Sequence, residues 1–313
     1  MPHKAISRPF SAVRKAESVP RDRYFGDRWT CILELVLSAD PKHLVVIGAG
    51  WLDLHEEKEP STRRRMKHGK KWVWREEPGR TTEHVVAEIV RGAPGGPPVI
   101  PGSSIKGAVR QVYELLTPSC EPGTRESCSV SARSSRLVVC PACSLFGGLG
   151  LGGRLGFGEA ILPKGDAQKN LKLVAVPYPW AKQKGVPGTY RFYGQKKEPR
   201  EEKEMTWAAF GEFRTRLRVV NASDDELGLL FASLGIGWKG PAPGLRLGGR
   251  KYHGFGAVQV KVVHSRELRG RGKSRGEGDA QEWAEALVEA ALDRDPGRRR
   301  AWDDLHATLS EAS

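Results

Sequence analysis

The chain has little of what a membrane-spanning or secreted protein requires. It contains no run of about 18 apolar residues, and its first residues lack the apolar stretch of a signal peptide. Five cysteines among 313 residues are too few for a disulfide framework. We therefore expect a cytoplasmic protein with no membrane partner, in which clustered cysteines are candidate metal ligands.

Acidic residues are also scarce relative to basic ones. The chain has 37 Asp and Glu against 51 Lys and Arg, which gives a net charge of +14. Such a charge repels basic partners and attracts polyanions, so nucleic acid is the first candidate ligand. The alternative is a generically basic soluble protein, because net charge carries no information about the fold.

Hydrophobic periodicity predicts alternating strands and helices. Residues 212–219 alternate apolar and charged side chains, which is typical of a half-buried strand, and their arginines either face RNA or keep the sheet soluble. The sequence SDDE at 223–226 is a capping box that begins a helix. With strands predicted at 30–37, 171–178 and 257–263 and a helix after residue 104, the order indicates an α+β fold with a ferredoxin-like (RRM-like) βαββαβ core.

Composition divides the chain into segments around that core. The predicted segments are a basic N-terminal arm that orders only against a neighbour (1–28), the core (29–264) with a thumb insertion (53–91), a zinc insertion (118–146) and a basic insertion (179–211), a linker (265–279), and C-terminal helices (280–313). The C-terminal helices are expected to pack on this subunit or a neighbour.

The long insertion at 53–91 is rich in Arg and Lys and includes Trp72 and Trp74. Basic side chains can grip phosphates while indole rings stack on bases. We interpret it as an RNA-gripping thumb, and the alternative is a solvated β-hairpin.

The sequence IPGSSIKGAVR at 100–110 leads into a predicted helix that ends before Pro118. Ser103 or Ser104 can cap the helix, and its free amides together with Lys106 and Arg110 would form a phosphate site. Lys106 can equally be ordinary helix surface.

Two segments combine glycine with basic residues. Residues 147–158 surround Arg154, and residues 244–256 contain Arg250 and Lys251. Glycine lets a backbone approach a ligand closely, so both segments are candidate RNA contacts.

Four cysteines form one cluster in the sequence, namely Cys120, Cys128, Cys140 and Cys143. Four thiolates match the tetrahedral preference of Zn²⁺, and a closed shell of sulfur ligands indicates a structural rather than a catalytic ion. A redox CxxC would leave Cys120 and Cys128 unexplained, and unliganded thiols are the other alternative. Cys31 is isolated in a predicted strand and is interpreted as a core residue.

These motifs together resemble the RAMP superfamily, specifically the backbone subunits of type III CRISPR effector complexes. The resemblance rests on IPGSSIKG at 100–107 with Arg110, on CPACSLFG at 140–147, and on the glycine-rich residues 248–256. It covers residues 29–264. The cysteine cluster and YGQK at 193–196 are closest to the III-D and III-E branches.

The resemblance implies a ribonucleoprotein role in antiviral defence. The partners would be a CRISPR RNA guide, a target RNA and other RAMP subunits. Guide contacts would come from Ser103, Ser104, Lys106, Arg110 and two residues of the second glycine-rich loop, Arg250 and Lys251. The thumb would kink the guide–target duplex.

Active members of this family cut target RNA with an aspartate in the loop after the first strand and a divalent metal, which implies Mg²⁺ here. Asp53 is the nearest match, with His55 or Glu56 assisting. Trp51 and Leu52 depart from the family's small or polar residues, so an unreactive loop aspartate is the alternative.

Two other functions stay open. The first is a metal-independent endoribonuclease that processes CRISPR RNA, for which His43, His55 and His84 are candidate acid–base groups. The second is a non-catalytic subunit that caps a RAMP filament.

Overall fold

The structure is a computed structural model that describes residues 5–7, 9–10, 12–58, 61–68, 71–77, 81–120, 128, 137–163, 165, 169–177, 189–191, 203–239, 244–251, 254–269 and 274–310. In chain order the elements are β1 (Ala5–Ser7), β2 (Ala16–Glu17), β3 (Trp29–Ala39), β4 (Val45–Val46), β5 (Gly48–Lys58), β6 (Thr62–His68), β7 (Lys71–Glu77), β8 (Thr81–Ile89), β9 (Val99–Ile100), α1 (Gly102–Leu116), β10 (Val138–Val139), α2 (Pro141–Phe146), β11 (Gly147–Gly148), β12 (Leu151–Gly152), β13 (Leu155–Phe157), β14 (Ala160–Ile161), β15 (Leu171–Pro177), β16 (Thr189–Arg191), β17 (Lys203–Ala209), β18 (Gly211–Ala222), α3 (Asp224–Ser233), β19 (Leu245–Arg246), β20 (Ala257–Arg269), α4 (Asp279–Asp293) and α5 (Pro296–Ser310). The described residues form a mixed α+β fold, and this fold class agrees with the prediction.

The main sheet has the strand order β19-β20-β3-β18-β14-β9, and β13 also pairs with β18. Its pairs are antiparallel. Alternate residues of β18 explain the two faces, because Phe213 and Leu217 are buried while Arg214 and Arg218 are exposed. The buried face belongs to one core cluster that includes Leu35 of β3 together with the apolar residues of α1, α3 and α4.

Local sequence signals explain the helices that cover this sheet. In α3 the Ser223 hydroxyl accepts from the Glu226 amide and the Glu226 carboxylate accepts from the Ser223 amide, so the predicted capping box is confirmed. In α1 the buried residues Ile105, Val109 and Val112 recur at helical spacing.

A second sheet has the order β15-β17-β8-β5, with β4 paired to β17. Its β17–β8 pair is parallel. The β5–β8 register runs out to Lys58 opposite Thr81, and β6 and β7 pair from Thr62–Glu77 to His68–Lys71. Antiparallel pairing therefore continues along the described parts of the predicted thumb.

The structure differs from the sequence interpretation at three boundaries. Asp53, expected in a loop after the first strand, instead lies in strand β5 (Gly48–Lys58), because β8 supplies the backbone partners of that segment. Strand β20 continues to Arg269 and so enters the predicted linker. The described part of the arm packs on its own chain, since Arg14 donates its amide to the Pro118 carbonyl at 3.0 Å and Ser18 donates to the Leu137 carbonyl at 2.7 Å.

None of the helices in the described residues is long and apolar enough to cross a membrane. The two C-terminal helices instead pack against the rest of the chain. Trp302 of α5 is buried and donates its indole N–H to the Ala232 carbonyl of α3 at 3.3 Å. Trp283 of α4 packs edge-on against Phe231 of α3.

Candidate nucleic-acid interface and metal centre

The four clustered cysteines meet at the junction of α1 and α2. Cys120 lies shortly after α1, Cys140 is the N-cap of α2, and Cys143 lies inside α2. Cys120, Cys140 and Cys143 are buried and Cys128 is half-buried. Segments distant in the sequence are therefore joined at one point.

The spacing of the sulfur atoms fits one tetrahedral ion. The Sγ of Cys120 lies 3.5 Å from that of Cys140 and 3.6 Å from that of Cys143, and all four sulfurs lie within 4.8 Å of one another. Zinc–sulfur bonds of about 2.3 Å in a tetrahedron place sulfurs about 3.8 Å apart. Four thiolates at this spacing suit Zn²⁺, which would be held without an open position for catalysis.

The thiols influence one another strongly. Hydrogen bonding from the Cys143 side chain lowers the pKa of Cys140 to about 4, whereas burial raises the pKa of Cys120 to about 11. The hydrogen bond with Cys140 raises the pKa of Cys143, and burial adds to this. Metal binding must therefore displace protons from Cys120 and Cys143, so zinc affinity should fall on acidification.

The N-terminal end of α1 presents polar and basic groups. Ser103 and Ser104 are exposed residues of the first turn, which contains no acidic residue. The N-cap is Pro101 and no side chain caps the helix, so neither serine is the predicted cap. The positive end of the helix dipole is therefore left for an external anion.

Lys106 is the first basic residue of α1. It is half-buried, and burial followed by repulsion from Arg110 lowers its pKa. Gly102 brings the helix end close to the following strands, because a Cβ there would lie 2.2 Å from the Phe157 carbonyl oxygen.

The glycine-rich loop containing Arg250 and Lys251 packs on the segment that precedes the predicted thumb. Gly249 donates its amide to the Val46 carbonyl at 2.7 Å, and a Cβ on Gly248 would lie 2.3 Å from that same oxygen. Gly248 also has a φ of 81°, so this position requires glycine. The contact places Arg250 and Lys251 beside the start of β5.

Arg246 is a basic residue in this loop that sequence reasoning missed. Its side chain is 7% exposed, and it donates Nη1 to the Gly254 carbonyl at 3.2 Å. Its Nε and Nη2 are buried and face no hydrogen-bond partner among the described residues. Its position in LRLGG, between two apolar residues of a short strand, gave no reason to separate it from surface arginines.

Lys251 lies close enough to Arg246 for the two charges to interact. Burial, and then repulsion from Arg246, lowers the pKa of Lys251, and burial lowers the pKa of Arg246. Burying like charges together is unfavourable unless an anion compensates them. The pair is therefore a candidate phosphate site.

Arg154 does not have the exposure that an RNA contact requires. Its side chain is 1% exposed and its guanidinium donates to the Ser144 carbonyl, the Asn221 carbonyl and the Glu226 carboxylate. We therefore remove Arg154 from the predicted RNA-binding residues. The compensating acid is Glu226, which is too far along the chain to be paired with Arg154 from the sequence.

Arg110 points towards the cysteines. It donates to the Glu114 carboxylate at 2.6 Å, to the Gly147 carbonyl at 2.8 Å and to the Cys143 sulfur at 3.5 Å. Its guanidinium is thus engaged within the protein, in contrast to the predicted phosphate contact. The i,i+4 spacing of Arg110 and Glu114 was the sequence signal for this.

Exposed basic and aromatic residues occur together on the β6–β7 hairpin. Trp74 is 69% exposed and is the register partner of Arg65, which is also exposed. Lys67 and Trp72 are register partners two positions further towards the tip, although their side chains lie outside the described residues. The hairpin is compatible with both the thumb and the solvated-hairpin interpretations.

The predicted catalytic residues lie on a strand rather than a loop. In β5 the backbones of Asp53, His55 and Glu56 pair with those of Val86, His84 and Glu83. The side chains of the three residues lie outside the described part of the chain. Among described groups, the cysteine cluster alone has the spacing of metal ligands, so Mg²⁺ at Asp53 stays a prediction from the resemblance.

Comparison with known proteins gives one family assignment. No curated protein matches the chain. The family model described as the RAMP superfamily matches residues 43–259, a span that contains α1, the cysteine cluster and the second glycine-rich loop. The chain therefore belongs to the RAMP superfamily.

Proposed function

We propose that this chain is a guide-binding backbone subunit of a type III CRISPR ribonucleoprotein complex. Membership of the RAMP superfamily indicates a CRISPR-associated RNA-binding role. The more specific assignment rests on the motifs at 100–107 and 140–147 and on the arrangement of basic groups around α1 and the glycine-rich loop. Other RAMP subunits and a target RNA would be its partners.

The strand order supports a ferredoxin-like core at the centre of this subunit. Taking β3, β13/β14, β18 and β20 as the four core strands, with α1 after the first and α3 after the third, gives the chain order βαββαβ. The sheet then places β20 beside β3, β3 beside β18, and β18 beside β13 and β14. The neighbouring strands are antiparallel.

The observation that carries the RNA-binding proposal is the pair formed by buried Arg246 and half-buried Lys251. Two nitrogens of Arg246 are buried without a partner among the described residues, and Lys251 adds a second positive charge. A phosphate oxygen would supply the missing acceptor and the missing charge. Strand β19, which carries Arg246, contacts α1, which carries Lys106, and we propose that one RNA strand contacts both residues.

Such a site recognises a ribose-phosphate backbone and not a base sequence. In a guide-directed complex, base pairing reads the target, so the protein needs only contacts to phosphate and to RNA shape. The thumb, with Arg65 and Trp74 exposed together, would contact the guide–target duplex and kink it. The cysteine cluster would hold a structural Zn²⁺ that joins the C-terminal end of α1 to α2.

We expect Arg246→Met and Lys106→Met each to weaken binding of a single-stranded RNA of mixed sequence about tenfold, because each removes one charged phosphate contact. The slope of log affinity against log salt should fall by about 0.7 for each variant. Fluorescence anisotropy over a salt series measures both quantities.

The matched control for these variants is Arg216→Met on the outer face of the main sheet. Arg216 is 75% exposed and pairs with Glu34 at 2.9 Å, so its loss should leave RNA affinity unchanged. A larger effect from Arg216→Met than from Arg246→Met would contradict the proposed site and assign RNA binding to the exposed arginines of β18.

Cleavage is the enzymatic part of the proposal. We propose that Asp53 holds Mg²⁺ or orients the attacking 2′-hydroxyl, with His55 or Glu56 assisting. In guide-loaded protein, Asp53→Ala should reduce cutting of a matching RNA by a factor of about 100 or more, and EDTA should abolish it. Asp40→Ala, in an exposed turn, is the control. Wild-type cutting by Asp53→Ala would exclude Asp53 as the catalytic residue.

The register of β5 and β8 also supports a second candidate function. His55 and His84 are register partners in that pairing, so two histidines lie opposite each other on neighbouring strands. A CRISPR RNA-processing endoribonuclease without a metal would use such groups as acid and base. EDTA-resistant cutting that His55→Ala removes would favour this alternative over the metal-dependent one.

A further inference from the structure

Arg110 links helix α1 to the cysteine cluster. It lies on α1, one turn after Lys106, and its Nη2 donates to the Cys143 sulfur at 3.5 Å. Its Nη1 donates to the Gly147 carbonyl at 2.8 Å, directly after α2. One side chain therefore contacts both a cysteine ligand and the residue that ends the CxxC helix.

The cysteine cluster requires a positive neighbour when it holds a metal. Four thiolates outweigh one divalent cation, so the complete site has a net negative charge, and Cys120, Cys140 and Cys143 are buried. A buried charge is unfavourable unless it is paired and hydrogen-bonded. Arg110, at hydrogen-bond distance from Cys143, supplies that pairing.

The remaining contacts of Arg110 fix its direction. Its Nε donates to Glu114, whose side chain is 4% exposed, at 2.6 Å. Gly147 has a φ of 91°, and a Cβ there would lie 2.6 Å from the Gly153 amide nitrogen, so its carbonyl position is set by a backbone that only glycine adopts. The guanidinium is thus held between a buried acid, a fixed carbonyl and the Cys143 sulfur.

We propose that Arg110 is a positioning residue of the zinc centre, and that metal binding orients the end of α1 through Arg110. The first part concerns the metal alone. The second part rests on the proposed function, because it assumes that the end of α1 with Lys106 meets RNA phosphate. Arg110 thereby acts on RNA indirectly, whereas Lys106 acts by contact.

The test measures zinc affinity of the full-length protein by competition with a chromophoric chelator. Arg110→Met should lose zinc affinity about 10- to 100-fold, the usual cost of removing an outer-shell partner. Arg110→Lys should lose less, because it keeps the charge but not the fork of donors. Lys106→Met is the matched control and should bind zinc as the unmodified protein does.

The substitution Arg110→Met also removes the guanidinium that pairs with the buried Glu114 carboxylate. The double variant Arg110→Met/Glu114→Gln removes that charge, so it keeps the protein folded if Arg110→Met alone unfolds. It should retain the full loss of zinc affinity. Zinc affinity equal to that of the unmodified protein, in either folded variant, would overturn the proposal.

RNA binding separates an indirect from a direct role. With zinc saturating, Arg110→Met should keep the salt dependence of RNA binding, whereas Lys106→Met should lower the slope by about 0.7. A lowered slope with unchanged zinc affinity for Arg110→Met would assign Arg110 to phosphate contact and overturn the proposal. If the unmodified protein fails to bind RNA while Arg110→Met still loses zinc, the proposed function fails and the zinc role of Arg110 stands.

Discussion

Chelation of the zinc ion proposed for the cysteine cluster is expected to lower the thermal midpoint of the full-length protein by about 10 °C. A ligand present at 1,000 times its dissociation constant stabilises the folded state by about 4 kcal/mol, and about 1 kcal/mol shifts the midpoint of a larger domain by about 2–4 °C. The physical reason is the position of the four sulfurs, which join the end of α1 to the start of α2. Without the ion this junction is held by hydrogen bonds among thiols.

Calorimetry with and without a thiol-competing chelator, under reducing conditions, measures this shift. Elemental analysis of the untreated protein should find one zinc ion per chain. Cys140→Ser/Cys143→Ser should reproduce the chelated midpoint and should no longer respond to chelator. Cys31→Ala is the control and should keep the response to chelator, because Cys31 is buried in β3 outside the cluster.

A cysteine-pair variant that folds and retains its zinc would contradict the metal assignment. A fall in the midpoint on chelation without any bound zinc would instead assign the stabilisation to another ion. Acidification provides an independent check, because protons displaced from Cys120 and Cys143 compete with the metal. The chelator-sensitive part of the stability should therefore decrease as the pH falls.

Elements with a strong local pattern could be predicted from the sequence. The alternation along β18 and the capping box of α3 are properties of neighbouring residues, and the structure confirms both. The cysteine cluster could also be predicted, because CxxC fixes two ligands on one helix turn and leaves few partners for them. The spacing between Ile105 and Val112 likewise predicted α1.

The errors arose where a distant partner decides the structure. Residues 48–58 contain glycine and charged side chains, which favour a loop, but pairing with β8 satisfies their backbone and makes them a strand. The described arm residues were predicted to need a neighbouring subunit, yet their partners are Pro118, Leu137 and Asn221 of the same chain. No periodicity within the arm encodes those contacts.

The environments of the basic residues likewise depend on partners that are distant in the sequence. The sequence does not distinguish Arg110, Arg154 and Arg246 from one another, because all three are arginines. In the structure each has a different environment. Arg154 is neutralised by an acid, Arg110 contacts a cysteine of the cluster, and two nitrogens of Arg246 face no partner among the described residues. Charge along the sequence predicted an RNA-binding protein, whereas burial and partners separate the arginines that are paired within the fold from Arg246, the one proposed to bind phosphate.

Replacement of Arg154 by methionine is expected to destabilise the protein by about 3–5 kcal/mol, the usual cost of removing one member of a buried ion pair. The Arg154 guanidinium donates to Ser144 in α2, to the Asn221 carbonyl at 2.6 Å and to Glu226 in α3. The side chain of Glu226 is only 18% exposed. Among the ion pairs described, its other cation is Arg28, which is more exposed than Arg154. Urea denaturation measures the change as a shift of the midpoint.

Two comparisons make this prediction specific. Arg216→Met removes an exposed pair with Glu34 and should cost less than about 1 kcal/mol. Arg154→Met/Glu226→Gln removes the uncompensated charge and should recover part of the lost stability, although not all of it, because the Ser144 and Asn221 carbonyls still lack the donors that Arg154 supplied. The salt dependence of RNA binding, measured on the folded protein at low temperature, should be the same for Arg154→Met as for the unmodified chain. A stable Arg154→Met variant with a reduced salt slope would instead place Arg154 at the RNA and would require α2 and α3 to be held together by other contacts.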